Sequence, residues 1–453
     1  MYKASLKEET DPPIDVLCQD VETGDRGQFT IDGNDWAFKI VSFQGKVPPS
    51  QSERTLQLEN GHYATLLACQ DGGGGHASGL YVRGNTRLVY PNAIVLGPEP
   101  WSSKLLTKHF SFAFFKGKES VLHSELPSEG YEVPPKLAKF VVDGIEVSLG
   151  LQVSFSVGGG IAKSRPRVYF DSARGLSLEE IYRIAADALT FFEISAGVPS
   201  YHYDFSINPF DTSEILRAIE HDPNHYYPEF SLRFMKPEMP PERPAGREFP
   251  VFTFLDEQRA KQSAIAFERW MMRRAEWSYS YTLASRYLHA NPSFDINRLL
   301  RAMAWFESLP SYASKDELTD TQVGILKRAA RSAAESAGIA ITPARIAETM
   351  NQLRRESLNG RLERCITSLR TRFGMSYLPE RILQDCSKAK KIRDSAAHGF
   401  SSGTDIQSLY EYTLALEIMC FLATVEDLNP DFSTAYMHPL TDYLRLHSLG
   451  TTG

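Results

Sequence analysis

Residues 236–248 read KPEMPPERPAGRE, with prolines at 237, 240, 241 and 244. Proline lacks an amide hydrogen and has a fixed φ, so this density excludes a helix interior or a central strand. The stretch reads as a linker, residues 236–249, and the pattern of the chain changes across it. On its N-terminal side, tight-turn pairs separate apolar or β-branched runs. They are Asn60-Gly61 in LQLENGHYATLL (56–67), Gly84-Asn85 in LYVRGNTRLVY (80–90) and Asp143-Gly144 in FVVDGIEVSL (140–149). Two-residue hairpin turns need positive φ, which Gly and Asn tolerate best, so each pair predicts a hairpin. An antiparallel sheet or sandwich from about residue 27 to 170 follows. It ends at a helix with Ser177 as N-cap, Glu180 completing a capping box, and Gly197 beyond the C-terminus. Strand-like pieces return at 201–207 and 230–235.

On the C-terminal side, apolar residues recur at helical spacing. Ile296, Leu299, Leu300 and Met303 share one helix face, as do Leu414, Ile418, Phe421, Leu422 and Val425. Between them lie an Ala-rich stretch (321–350), a further segment (351–372) and a helix opened by Pro379, which suits a first turn because the missing N–H had no partner there. The expected fold class is α+β. A β-rich N-terminal domain with a few helices (1–235) precedes an all-α helical bundle (250–453).

Composition narrows the function. The 453 residues carry a net charge of −7, which excludes a surface that grips nucleic acid everywhere but leaves room for a local basic patch. Two runs reverse the sign: residues 323–372 hold ten Lys/Arg against four acidic residues, and 381–393 hold five against Asp385. Such runs either neutralise phosphates or form a solvated helix surface. The five cysteines are scattered, with no C-x-x-C and no His at ligand spacing, so neither a metal nor another cofactor is expected. The N-terminus, MYKASLKEET, has no apolar core of a leader, and the run 414–425 is interrupted by Glu417. A cytoplasmic protein without membrane contact is the expectation.

The helix after Pro379 reads PERILQDCSKAKKIRDSAAHGF (379–400). Its apolar positions place Arg393 at the edge of the buried face, and His398 follows five residues on, about 140° around an ideal helix. Gly399 is a plausible terminator, which would free the imidazole to swing toward the arginine. Cleaving RNA without a metal needs one group to take the 2′-OH proton and one to protonate the leaving 5′ oxygen, and histidine is matched to that exchange near neutral pH. A guanidinium can clamp the phosphate and the charge it gathers. Asp394 and Ser395 could orient the ring or the ribose, and Lys390 and Lys391 could hold neighbouring phosphates. The spacing alone is what chance supplies in a chain with 11 histidines. Taken bare, it equally suits a surface ion and a histidine on the helix dipole.

The segment IRDSAAHGF (392–400) resembles the R-(polar)-x3-H signature of HEPN domains, helical bundles of which many are endoribonucleases. The likeness extends to NRLLRAMAWFESLP (297–310), similar to that family's early helix, whose apolar stripe ends in a glutamate, here Glu307. It extends also to LYEYTLALEIMCFLATVEDL (409–428), similar to the closing helix. With the β-rich region and the helix EEIYRIAADALTFFEISAG (179–197), the whole resembles ApeA-type abortive-infection proteins of bacteria. The resemblance implies a HEPN bundle with His398 as general acid/base, Arg393 as phosphate clamp and Asp394 as the polar second residue. Lys390, Lys391, Ser395 and Glu307 would line the substrate side. It further implies metal-independent cleavage of RNA, with transfer RNA one candidate, to a 2′,3′-cyclic phosphate. The active form would be a homodimer or higher homo-oligomer through the HEPN domain, triggered by a phage-encoded partner at the N-terminal domain.

Two readings from other classes stand beside it. One is a non-catalytic HEPN scaffold for RNA or a partner; the other is a carbohydrate- or peptide-binding β-domain with a helical tail. Other motifs read as structure: Asp71-Gly-Gly-Gly-Gly-His76 as a hairpin loop, Gly158–Gly160 as a bend, His221 and His225 as a surface turn, and the tyrosines at 201, 203, 226 and 227 as packing.

Overall fold

In a computed structural model of the chain, the described residues are 14–24, 26–31, 38–40, 53–67, 70–79, 82–90, 93–102, 104–113, 138–155, 161–196, 203–221, 230–234, 257–288, 295–397, 405–429 and 431. The linker 236–249, Gly158–Gly160, Gly197, His225, the tyrosines at 201, 226 and 227, and His398 with Gly399 lie outside them. The chain divides into two compact units, Met1–Pro244 with Phe252–Met272, and Ala245–Val251 with Arg273–Gly453.

The first unit is antiparallel sheet, and the chain as a whole is α+β as its pattern predicts. In chain order the strands begin with β1 (Ile14–Asp20), β2 (Arg26–Ile31), β3 (Phe38–Ile40), β4 (Glu53–Leu58) and β5 (Tyr63–Leu67). They continue with β6 (Gln70–Gly79), β7 (Val82–Tyr90), β8 (Ala93–Gly97), β9 (Thr107–Ala113) and β10 (Ala138–Val142). After β11 (Ile145–Phe155) and β12 (Ile161–Leu176) come helix α1 (Leu178–Ala196), β13 (Tyr203–Asn208), α2 (Thr212–His221) and β14 (Phe230–Phe234). Eleven strands form one sheet in the order β10-β11-β12-β9-β13-β14-β8-β5-β4-β1-β2, and β3-β7-β6 form a second.

Two of the three expected hairpins are present. The β4–β5 turn closes with the Gly61 amide donating to the Leu58 carbonyl (3.0 Å), Gly61 at φ +84. The β10–β11 turn has positive φ at both Asp143 (50°) and Gly144 (74°). The third differs: Gly84 and Asn85 lie inside β7, opposite Ala77 and His76 of β6. The glycine run 72–75 is likewise strand, with a register shift between Asp71 and Gly74, and not a loop. Backbone pairing tolerates glycine where no side chain is needed, so the turn chemistry was a weak signal there. At Gly97 the absence of a side chain is required, because a Cβ would sit 2.2 Å from the Phe230 ring.

The sheet buries a cluster around Cys18, Phe29, Leu56, Leu66 and Ile94. Alternation with exposed neighbours such as Leu17 and Gln57 gives it one dry face. Helix α1 starts with the predicted capping box: the Glu180 amide donates to Ser177 Oγ (3.3 Å) and the Ser177 amide to Glu180 Oε2 (3.0 Å). Its buried stripe, Ile181, Ile184, Ala188, Phe191 and Phe192, packs on Phe267 of helix α3 (Glu257–Leu288), with ring centroids 4.9 and 5.0 Å apart. The Trp270 indole donates to the Asp187 carbonyl (2.7 Å), so the first turns of α3 are part of this unit.

The second unit is helical. After the later turns of α3 it contains α4 (Ile296–Ser308), a 3-10 turn at Pro310–Tyr312, α5 (Asp320–Ser336), α6 (Pro343–Gln352), α7 (Leu358–Phe373), α8 (Ile382–Ala397) and α9 (Ile406–Leu428). The Ala-rich stretch thus forms two helices, parted at Gly338 (φ +67) and restarted by Thr342 as N-cap before Pro343. Pro379 precedes α8 by three residues instead of opening it.

Helix α9 is the hub, contacted by α4, α7 and α8 and buried continuously from Thr413 to Val425. At 23 residues it is longer than the apolar run suggested, and by length and composition alone it could cross a membrane. Here its apolar surface is consumed by packing. Glu417 is accommodated because Arg298 of α4 meets it with two donors, Nε at 2.7 Å and Nη2 at 2.9 Å.

Candidate functional site

The site is built where the last turns of α4 and α8 meet. Helix α8 buries Ile382, Cys386, Ala389 and Ile392 on one face. Its first turn is fastened to α9, since Arg381 donates to Asp385 (2.9 Å) and to Glu411 (2.7 Å). Arg393, four residues beyond Ala389, stands at the edge of this face, 34% exposed, as its spacing predicts. Its Nη2 lies 2.6 Å from Glu307 Oε1 and its Nη1 3.0 Å from Asp394 Oδ1. Lys390, one turn back, donates to the other Asp394 oxygen at 2.9 Å.

Glu307 is held in place from below. Arg361 of α7, 8% exposed, donates from Nε to the Tyr312 carbonyl (2.9 Å) and from Nη2 to the Glu307 carbonyl (3.4 Å), with its guanidinium 5.1 Å from the Phe306 ring centre. Carbonyls at a helix C-terminus have no partners in the helix itself, and a buried cation there satisfies them. Burial pulls the Arg361 guanidinium below its ordinary pKa, but an arginine keeps its proton.

The electrostatics follow from these contacts. The bonded carboxylate of Asp394 raises the Arg393 pKa further, with Glu307 adding to it. Asp394 itself is held below the usual aspartate range, first by the Lys390 ammonium and then by Arg393. The cluster therefore holds two cations and two carboxylates in one chain of contacts. Asp394 is occupied by Lys390 and Arg393; the neighbouring Ser395 is half-buried and Lys391 is exposed. His398 follows the end of α8 by one residue in sequence and lies outside the described residues. Of the site residues read from sequence, the fold brings together Arg393, Asp394, Lys390 and Glu307.

Four cations of the first basic run are spent internally. Arg354 pairs with Asp316 and Asp320, Arg364 with Glu356, Arg361 with the carbonyls above, and Arg370 with the Leu378, Pro379 and Glu380 carbonyls. Four of the ten cations between 323 and 372 are thus engaged within the chain.

Sequence reasoning also missed Arg361 as the support of Glu307 and Arg298 as the partner of Glu417. The second had a signal, because an acid inside an apolar helix demands a buried cation. Cys365, Cys386 and Cys420, scattered along the chain, approach one another in the core between α7, α8 and α9, where burial raises every thiol. Among the described residues no group of His, Cys, Asp and Glu could hold a metal ion.

Chemically, the arrangement offers a guanidinium whose two Nη groups each contact one carboxylate, Glu307 and Asp394, within reach of solvent. A phosphodiester presents the same two-oxygen acceptor. Comparison with known proteins adds nothing to this: no family model, curated protein or solved structure matches the chain.

Proposed function

We propose that the helical unit is a metal-independent endoribonuclease of the HEPN type, working in bacterial anti-phage defence. The observation that carries this reading is the position of Arg393. It is a third exposed near the C-terminal end of α8, clustered with Glu307, Asp394 and Lys390, and five residues before His398. In the proposed reaction, His398 accepts the 2′-OH proton as the oxygen attacks phosphorus. The bond to the 5′ oxygen breaks, and a proton returned by the imidazole of one of two paired sites completes the leaving alcohol. The products are a 2′,3′-cyclic phosphate and a free 5′-OH. Arg393 exchanges a carboxylate for the phosphate and stabilises the charge that gathers there. The β-rich unit senses infection, through a phage-encoded trigger, and restrains the helical one until then. The RNA that is cut, transfer RNA or another, is a host species whose loss stops growth.

The same geometry supports a second reading, a non-catalytic scaffold that binds RNA or a partner. Arg393 is engaged by two carboxylates, which is also how a structural ion pair looks. His398→Ala separates the two. A nuclease loses toxicity on expression in cells, while RNA binding and oligomeric state stay as in the wild type. A variant that remains as toxic as the wild type would remove catalysis from this site.

A further inference from the structure

The central strands of the large sheet, β11-β12-β9-β13-β14, have two faces of opposite character. Their register sets Val147, Phe170, Phe110, Ile207 and Phe230 side by side in one row, every one buried. Phe140 of β10 extends that row and meets Phe267 of α3, with ring centroids 5.2 Å apart. Side chains alternate along a strand, so the neighbouring positions share the other face. There the register aligns Ser148, Tyr169, Ser111, Ser206 and Ser231, a hydroxyl on each adjacent strand. The next row on this face is Glu146, Asp171, His109 and Asn208. An antiparallel sheet with one dry face commonly leaves the other to water. Here the hydroxyl row is shielded: Ser111, Ser148 and Ser206 are 2%, 6% and 8% exposed. The row beside it leads from water into the interior. Side-chain exposure falls from 38% at Glu146 to 22% at Asp171 and 16% at His109, and Asn208 is buried.

Where that row turns inward, the polar groups are fixed in place with hydrogen-bonding capacity left over. His109 Nδ1 donates to Asp171 Oδ1 (2.8 Å), since a carboxylate only accepts. Thr212, at the start of α2, gives the same oxygen its hydroxyl (2.8 Å) and its amide (3.1 Å). Burial opposes the charge of Asp171, but the bonds from His109 and Thr212 hold its carboxyl below the usual aspartate range. The imidazole is thereby oriented, and its Nε2 has no partner among the described residues. Ser148 has no hydrogen-bond partner among them either, although it is more than nine-tenths buried. Ser111 accepts from Arg167 Nε (3.0 Å) and keeps its own O–H to donate.

We propose that this face of the β-rich unit binds a neutral, polyhydroxylated small molecule, a saccharide. Lys139 and Arg167 stand on it against Glu146 and Asp171, a balance that favours neither an anion nor a cation. Serine hydroxyls give and accept hydrogen bonds as sugar hydroxyls do, and His109 Nε2 adds a further partner. The half-buried Tyr169 ring, 6.2 Å from the His109 ring, offers an apolar surface to the C–H groups of a sugar. The site is independent of the chemistry proposed for Arg393 and His398, so neither stands or falls with the other.

The test screens the full chain on an array of immobilised saccharides. The best-bound saccharide is then titrated by calorimetry into wild type, Ser148→Ala and His109→Asn. Ser148→Ala deletes the lone hydroxyl and is expected to weaken binding by roughly fivefold or more. Its melting temperature should stay at or above that of wild type, because a buried hydroxyl without a partner has been removed. His109→Asn keeps a donor for Asp171 in the place of Nδ1 and loses Nε2, and a similar loss of affinity is expected. Should His109→Asn fail to fold, Ser148→Ala decides alone. A wild type that binds no saccharide, or an affinity untouched in Ser148→Ala, would overturn the proposal. So would weaker binding in Ser148→Ala that comes with a lower melting temperature, which would make the hydroxyl structural. Binding of inorganic phosphate in place of every saccharide would also overturn it and give the face to an anion.

Discussion

Two arginines in the helical unit each join α4 to a later helix through a carboxylate, and they differ in their access to water. Arg298 and Glu417 are 8% and 4% exposed, with both donors of one guanidinium edge on both oxygens of one carboxylate. Arg393 and Glu307 are each 34% exposed, with one contact between them and a second from Arg393 to Asp394. In the dry pair neither ion can leave its partner without remaining buried and uncompensated, so the pair is a fixture of the core. In the wet cluster water can solvate whichever group lets go, so an incoming anion can displace a carboxylate at small cost. Burial therefore separates an arginine that fastens helices from one that can act on a ligand.

The largest expected effect breaks the dry pair. Arg298→Ala leaves Glu417 buried alone and should cost about 3–5 kcal/mol in denaturant unfolding. Replacing both by apolar residues, Arg298→Met with Glu417→Leu, should recover most of that loss. Recovery would confirm that the pair serves packing and has no further task. Next, Arg393→Ala should lower RNA cleavage by about 10²–10³-fold through loss of transition-state charge stabilisation. The same variant should shift unfolding by no more than about 1 kcal/mol, because its partners stay solvated. If instead Arg393→Ala destabilises the fold as strongly as Arg298→Ala, the contrast drawn between them fails.

A smaller effect sharpens the comparison from the carboxylate side. Glu307→Gln removes one charge that competes for Arg393 and should tighten RNA binding by roughly two- to fivefold, measured by fluorescence anisotropy at low salt. Unchanged or weaker binding would mean that Glu307 serves the substrate and does not compete with it. The smallest effect is on pH dependence. Asp394 titrates below its ordinary value of 3.8, so the stability it contributes is complete above that pH and is lost as pH falls through the lowered folded-state value. Wild type and Asp394→Asn should therefore differ slightly in stability at neutral pH and converge in acid, with the difference small because the group is more than a third exposed.

How much of this was readable in advance follows the range of the interactions. Local signals held: the Asp143-Gly144 turn, the Ser177/Glu180 capping box, and the helical stripe that put Arg393 at the edge of a face are each set within a few residues. Gly84-Asn85 carried the same turn chemistry as Asn60-Gly61 but lies mid-strand, because strand pairing between β6 and β7 overrides a preference worth little alone. The contacts that make the site are long-range. Glu307 and Arg393 are 86 residues apart, and nothing local says they meet. Arg361 was visible only as one charge in a basic run; its burial beneath the end of α4 depends on how α7 packs.

The most direct measurement is cleavage of total RNA by the full chain in excess EDTA, wild type beside Arg393→Ala, with the folding of both verified by circular dichroism. A nuclease at this cluster cuts in EDTA, leaves 2′,3′-cyclic phosphate ends, and loses that activity in the variant. Cutting by Arg393→Ala at the wild-type rate, or wild-type cutting that disappears with EDTA, would contradict it.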